Sequence, residues 1–496
     1  MSDHETEWEQ SEQLTSRGAL SSEGRFGFIK SSVLSEESLP TKLDIIRRVC
    51  LGYNLGYNNK FDDENKSELL EFFHKLIQNL KSELNVWYLD DGTVCDDPDI
   101  VLNDFKTIIN ESEKLGLHIN PSKCELFFLS EKIDEEIVSK FNTICPEICV
   151  TTKEDLNLLG APLFEEGFIK FSEKVLSKLK VMFERLKLLN SHTALFLLKN
   201  CFAVPKLTYL LRTSPAWKFE DFISSFDDEI KDLLETILNI DMNDQQWTQA
   251  TLPINFGGLG IRKLQDISLP AFLSSSFGVK SHVSHILNFQ DTTFIVHLDE
   301  ALEKWKSLND LQAPSIKHLQ KNWDLINVQR IMNENFKFTW KTDIARFKAL
   351  QCKESNAWLH SIPSSNIGTV MDRNDGKRPD ATCVDTFADS YLSKTSTKAR
   401  QLADYAASQK HKHYSELLSS NNYILLAFAV ETMGPWSEEA LNFVHKIGHK
   451  LQELTGDKRS KFFLIQRMSM EIQRHNAACI MGTISPNKPL EEVFYL

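Results

Sequence analysis

A chain of 496 residues has room for about two to four domains, and 42 % hydrophobic with 25 % charged residues excludes wholesale disorder. A formal net charge of −13 excludes a protein whose whole surface grips phosphate, while leaving room for one local basic face. The nine cysteines have no repeating spacing, as expected of free thiols in a reducing compartment; Cys145 and Cys149 lie close, but no second Cys or His pair follows at zinc spacing.

Residues 1 to about 35 are rich in Ser and Glu and weakly periodic, and read as a loose tail. A short helix signal over 43–50 is broken by GYNLGYNN, and a stronger helix is predicted over 66–80. NVWYLDDGTVC at 85–95 reads as two short strands around Asp-Asp-Gly. A helix is predicted over 100–115, a strand over 123–129, and a second hairpin from LNLLGAPLF and GFIKF between 156 and 171. From 172 to 345 the period is helical, interrupted at TLPINFGGLGI (251–261), which reads as a loop ordered against helices. Residues 362–385 are loop-like; then come a helix over 395–409, a strand in YILLAFAV (423–430), and helices over 437–454 and 461–480. That apolar run at 423–430 is too short to span a bilayer, so no membrane partner and an intracellular location, nucleus or cytoplasm, are expected.

The sharpest chemical feature is Tyr88-Leu89-Asp90-Asp91. Adjacent carboxylates repel, and a divalent metal removes that penalty: magnesium prefers carboxylate and water, and a pair of magnesium ions stabilises the attacking and leaving oxygens of nucleotidyl transfer. Taken alone, Asp-Asp-Gly is as well explained as a polar turn. Charge is segregated along the chain: residues 170–218 hold ten Lys or Arg against Glu173 and Glu184 only.

The ordered series WYLDDGT, KLGLHINPSKCELF and LNLLGAPL resembles consecutive late palm motifs of reverse transcriptases from non-LTR-type animal retroelements. The resemblance implies Asp90 and Asp91 as a catalytic, Mg2+-holding doublet, Asp90 being the more direct ligand, and Lys123 as an aid to the pyrophosphate leaving group. It implies Leu159-Gly160 as a primer-grip hairpin, and Lys174, Lys178, Lys180, Arg185 and Lys187 as thumb residues facing an RNA template and DNA primer. SNAWLHSIPSSNIGT, DGKRPDATCVDTFADSYL and VETMGPWSEEALNF resemble the family's endonuclease-bearing C-terminal region, and the likeness covers roughly residues 80–490.

Two departures set limits. The family's further aspartate, on a palm strand upstream of the doublet, has no counterpart: Asp44 lies in a helix-like context and Asp62 and Asp63 in a polar loop, and the fingers have no room. In the endonuclease-like region the Cys/His cluster and one carboxylate-bearing hairpin are missing, leaving Asp380 and Asp385 as relics.

The fold expected is α+β: an acidic, poorly ordered segment (1–65), a partial palm (66–171), a helical thumb and connection (172–345) and an α/β endonuclease-like remnant (346–496). The function expected is that of a retroelement-derived RNA-directed DNA polymerase, catalytically incomplete as an isolated chain. The alternatives are a non-catalytic nucleic-acid-binding protein and a decayed product without function.

Overall fold

The computed structural model describes residues 27–30, 76–88, 91–114, 118–130, 132–287, 295–364, 369, 382–413 and 426–483. The helix signal at 43–50 and Asp44, Asp62 and Asp63 lie outside them, and the helix expected over 66–80 is described over 76–79. The fold is α+β and mostly helical, with short strands.

The strands are β1 (Gly27–Lys30), β2 (Leu84–Tyr88), β3 (Asp91–Cys95), β4 (Glu125–Phe128), β5 (Cys149–Thr151), β6 (Asn157–Leu158), β7 (Ala161–Pro162), β8 (Thr382–Val384) and β9 (Ala429–Glu431). The helices named below are α1 (Pro98–Glu113), α2 (Glu135–Ile144), α3 (Glu165–Leu186), α4 (Ser191–Leu197), α5 (Val204–Thr213), α6 (Glu220–Leu238), α7 (Asp244–Thr251), α8 (Leu264–Leu287), α9 (Leu298–Asn309), α10 (Gln320–Asn335), α11 (Lys341–Leu350), α12 (Gln401–His413), α13 (Glu438–Thr455) and α14 (Ser460–Thr483). They fall into two compact units of interleaved segments: unit 1 (1–179, 206–226, 264–327) and unit 2 (180–205, 227–263, 328–496).

Unit 1 is organised on a sheet of order β2-β3-β1-β4-β5. The β2–β3 hairpin is antiparallel, whereas β1 runs parallel to both β3 and β4. A stretch read as a loose tail thus supplies a central strand; Phe28-Ile29 is a β-favouring pair too short to stand out among the surrounding Ser and Glu. Helix α1 starts where Asp97 caps the Asp99 amide and Pro98 takes the first helical position. Its Val101, Phe105 and Ile108 bury against Trp87, Val94 and Leu126 of the sheet, together with Phe141 of α2. The other sheet face packs Val86, Cys95 and Phe127 with Leu156 and Leu163 and with Val279 and Val283 of α8. A third core joins Phe272 of α8, Trp305 of α9 and Trp323 of α10.

One expected element is corrected. GFIKF is not the second strand of a hairpin; it lies inside α3. Phe168, Ser172, Leu179, Phe183 and Leu186 are buried at helical spacing, and Ile169, which strand alternation with Phe171 would pair inward, is 57 % exposed. The hairpin closes earlier, between β6 and β7.

In unit 2 the TLPINFGGLGI loop is fixed by glycine geometry. A Cβ on Gly258 would come 2.1 Å from the Leu252 carbonyl oxygen, and Gly257 adopts φ 83°, so only glycine fits this path. The C-terminal core joins Val430 and Trp436 with Ala440 and Val444 of α13 and with Leu464, Ile465 and Met468 of α14. Strand character expected over 423–430 is described at β9, which pairs in parallel with β8.

One helical stretch among the described residues, Ser191–Thr213, is long and apolar enough by length and composition to cross a membrane; 44 % of its most apolar window is buried in the protein. Lys199, Lys206 and Arg212 punctuate it, so it is not one continuous apolar run. A π-helical turn, Leu198–Phe202, interrupts it, the Lys199 ammonium donates to the Leu359 carbonyl at 2.5 Å, and Arg212 donates to Gln320 at 3.0 Å, as the cations of a core helix do.

Candidate functional site

The doublet lies at the head of the β2–β3 hairpin. Asp90 is outside the described residues; Asp91 opens β3, with its backbone opposite Tyr88. The register is held from behind. Trp87 pairs with Gly92 and covers it so closely that a Cβ there would come 2.7 Å from the indole ring. The Trp87 indole N–H donates to the Asn85 side-chain oxygen at 2.6 Å, and the Asn85 amide donates to the Ile77 carbonyl at 3.0 Å. Glycine after the doublet is therefore a packing requirement as well as a turn preference.

A residue that sequence reasoning missed anchors the entry to this hairpin. Asp104 of α1 is 3 % exposed. Its carboxylate accepts from the Lys81 amide (2.9 Å), the Ser82 amide (2.7 Å) and the Ser82 hydroxyl (2.5 Å), fixing the turn just before β2. The only signal was an acid set in the apolar stripe of Val101, Phe105 and Ile108.

Lys123 ends a 3-10 turn, Pro121–Lys123, capped by the Asn120 side chain, two residues before β4. Because Gly27 of β1 pairs with both Thr93 and Glu125, the strands β3 and β4 start at the same end of the sheet. Asp91 and Lys123 each lie two residues before those pairing points, so their backbones share that end. One strand separates β3 from β4, so the two strands are roughly 10 Å apart. The intervening strand, Gly27-Phe28-Ile29-Lys30, contains no acid.

Leu159 and Gly160 form the two-residue turn between β6 and β7, at φ 49° and 80°, both left-handed. A left-handed leucine is uncommon, and two contacts hold it. Its carbonyl accepts from the Tyr209 hydroxyl at 2.6 Å, and its side chain packs on the core with Val86 and Phe127. The hairpin is thus seated on the doublet-bearing sheet.

Lys174, Lys178, Lys180 and Arg185 lie on α3 and Lys187 in the turn just after it; all five are exposed, but they are not equivalent. Lys180 pairs with Glu229 and Lys187 with Glu184, both at 2.7 Å. Lys178 and Arg185 fall on one helical stripe and have no carboxylate partner among the described residues; Lys174, on the same stripe, lies beside the Lys170–Asp155 ion pair. A polyanion would meet this stripe.

In the C-terminal region Asp380 lies outside the described residues. Asp385, after β8, is exposed and accepts from the Phe387 amide (3.1 Å) and the Thr432 hydroxyl (3.3 Å), as a turn-forming aspartate does. The acid buried here is one that sequence reasoning did not select, Glu431 of β9, paired with Val384 of β8 and 0 % exposed. Its Oε1 accepts from the Leu402 (3.2 Å) and Ala403 (3.4 Å) amides in the first turn of α12. Burial pushes its carboxyl above the usual carboxylate value, and those amide bonds offset part of the rise. Among the described residues, no group of three His, Cys, Asp or Glu side chains is placed to hold a metal ion, and the cysteines are free thiols.

Comparison with protein families, with curated proteins and with solved structures finds no match for this chain.

Proposed function

We propose that this chain derives from a retroelement reverse transcriptase, that unit 1 carries an incomplete palm, and that the chain binds nucleic acid without polymerising it. The observation that carries the reading is the shared sheet end of Asp91 and Lys123, with the Leu159-Gly160 hairpin packed on the same sheet. Motifs selected only by their order along the chain are thereby brought onto one small scaffold. The thumb-like assignment draws support from Lys178 and Arg185, which share a stripe of α3 and have no carboxylate partner among the described residues.

Incomplete catalysis follows from the donors. Magnesium, if bound, would be held by Asp90 and Asp91 and would supply charge neutralisation at the transferring phosphate. A two-metal site of this kind needs a further carboxylate on a neighbouring strand. The strands beside β3 are β2 and β1, and neither contains an acid. In the endonuclease-like remnant, Asp385 is engaged in a turn and Glu431 in holding α12, so neither is free to arrange a cleavage site.

The test is primer extension on an RNA template with magnesium, run beside binding of an RNA–DNA duplex. Extension is expected from neither the chain nor Asp90→Ala. Duplex binding should weaken steeply with salt, fall several-fold in Lys178→Glu, and fall less in Lys180→Glu, whose charge is already compensated by Glu229. Asp90-dependent extension would overturn the incomplete palm, and indifference to Lys178→Glu would overturn the α3 interface.

A further inference from the structure

We infer that Lys199 is a carbon dioxide site: its side-chain nitrogen takes up CO2 as a carbamate, held among the basic groups of unit 2. Lys199 lies in the π-helical turn Leu198–Phe202, a rare kind of turn that recurs at functional sites. The side chain is half-buried. Its stem passes Gly260 of the TLPINFGGLGI loop so closely that a Cβ there would come 3.2 Å from the Lys199 Cδ. Its nitrogen donates to the Leu359 carbonyl at 2.5 Å. A glycine and a carbonyl oxygen therefore fix the nitrogen in place, and among the described residues no carboxylate pairs with it.

The surroundings are basic. The Lys199 charge acts on the imidazoles of His360 and His192, and the Arg474 charge acts on that of His192. Glu471, the acid nearest Arg474, is already shared: one of its oxygens accepts from Arg474 at 2.6 Å and from Arg467 at 3.2 Å. His192 is 8 % exposed, and its Nδ1 is buried without a hydrogen-bond partner. An anion formed on the Lys199 nitrogen is thus surrounded by groups that bear or can take positive charge. Burial without an anionic partner also holds the Lys199 ammonium down at about 8. Near neutral pH about a tenth of the amine is then unprotonated and nucleophilic, a far larger share than for an ordinary lysine.

The step is an addition. The nitrogen lone pair attacks the carbon of CO2, one C–O π pair moves onto oxygen, and the proton released from nitrogen passes to solvent. The side chain changes from a cation to an anion and keeps an N–H for the Leu359 carbonyl. Because CO2 is small and uncharged, it can enter a half-buried site without first shedding a hydration shell. Replacing a nearby cation by an anion must raise the proton affinity of His192 and His360, so the reaction couples dissolved CO2 to the charge of unit 2. The site uses no residue of the α3 stripe and stands independently of the polymerase ancestry.

The test is trapping with triethyloxonium ion, which esterifies a carbamate irreversibly, on the full chain equilibrated with isotope-labelled bicarbonate near neutral pH. Mass spectrometry should place the labelled ethyl carbamate on Lys199, at an occupancy roughly tenfold or more above that of the exposed Lys178. No label is expected at that position in Lys199→Arg. Histidine NMR titrations of the parent chain, which need no variant, should show His360 and His192 titrating at higher pH under CO2 than under nitrogen. Label confined to the N-terminal amine and exposed lysines, or histidine titrations indifferent to CO2 in the parent chain, would overturn the site.

Discussion

Asp104 in unit 1 and Glu431 in unit 2 are both buried carboxylates that receive backbone amides from another element, yet they are satisfied to different degrees. Asp104 uses both oxygens: the Lys81 amide reaches Oδ1 and Oδ2, and Ser82 donates twice to Oδ2. Glu431 receives both amides on Oε1, and its Oε2 is buried without a hydrogen bond of ordinary geometry, the Thr386 hydroxyl lying beside the carboxyl. A fully received carboxylate stabilises the turn it holds. A half-received one carries a desolvation cost that its donors offset in part, consistent with the raised pKa. Neither acid is among the candidate site residues read from the sequence.

The largest expected effect is Asp104→Ala, which strands three buried or half-buried donors at the entrance to β2. It should destabilise unit 1 by about 3 kcal/mol, read as a lowered thermal transition. Asp104→Asn, which keeps acceptor capacity on one atom, should lose less. A silent Asp104→Ala would mean that the hairpin is held mainly by Trp87 packing.

How much was legible follows the same division. The β2–β3 hairpin, α1, α13 and α14 are local: alternation around Asp-Asp-Gly and apolar residues at helical spacing sufficed. Strands β1 and β5 escaped because four and three residues carry too little period, and their assignment depends on partners far along the chain. GFIKF misled because five residues of apolar alternation fit a strand, and only the burial of Phe168 with Leu179 and Phe183 decides for α3. The basic candidates on α3 were visible as composition, but their division into paired and unpaired cations needed Glu229, about fifty residues away. Asp104 and Glu431 could not be selected at all, since an acid's role as a backbone acceptor is a tertiary fact.

In the acid range unit 2 holds a second titratable group, half-buried. His360 is pushed down to about 4, first by burial and then by the nearby Lys199 ammonium. Its folded pKa lies below its ordinary value of 6.5, so between these values the unfolded chain binds more protons. Stability from this group is present above 6.5 and is lost as pH falls toward 4. The loss should be on the order of 2 kcal/mol, and His360→Gln should flatten it in urea titrations run across that window. A slope unchanged by the substitution would place the acid sensitivity elsewhere, with His192, also lowered by burial, as the next group to replace.

Glu431 should produce the smallest change and the opposite sign. Its folded pKa is raised above 4.5, so the folded chain binds more protons between that value and the folded pKa. The contribution is present below 4.5 and is lost as pH rises through the folded pKa. Glutamine resembles the protonated carboxyl: it keeps one oxygen for the Leu402 and Ala403 amides and never ionises. Glu431→Gln should therefore match the parent's stability at the acid end and exceed it at neutral pH, by less than the Asp104→Ala loss. The difference between the two chains at each pH cancels the His360 contribution, which both share, so the small term remains readable beneath the larger one. A difference that shrinks with rising pH would mean that Glu431 is ionised in the folded chain with donors on both oxygens, and the contrast with Asp104 would disappear.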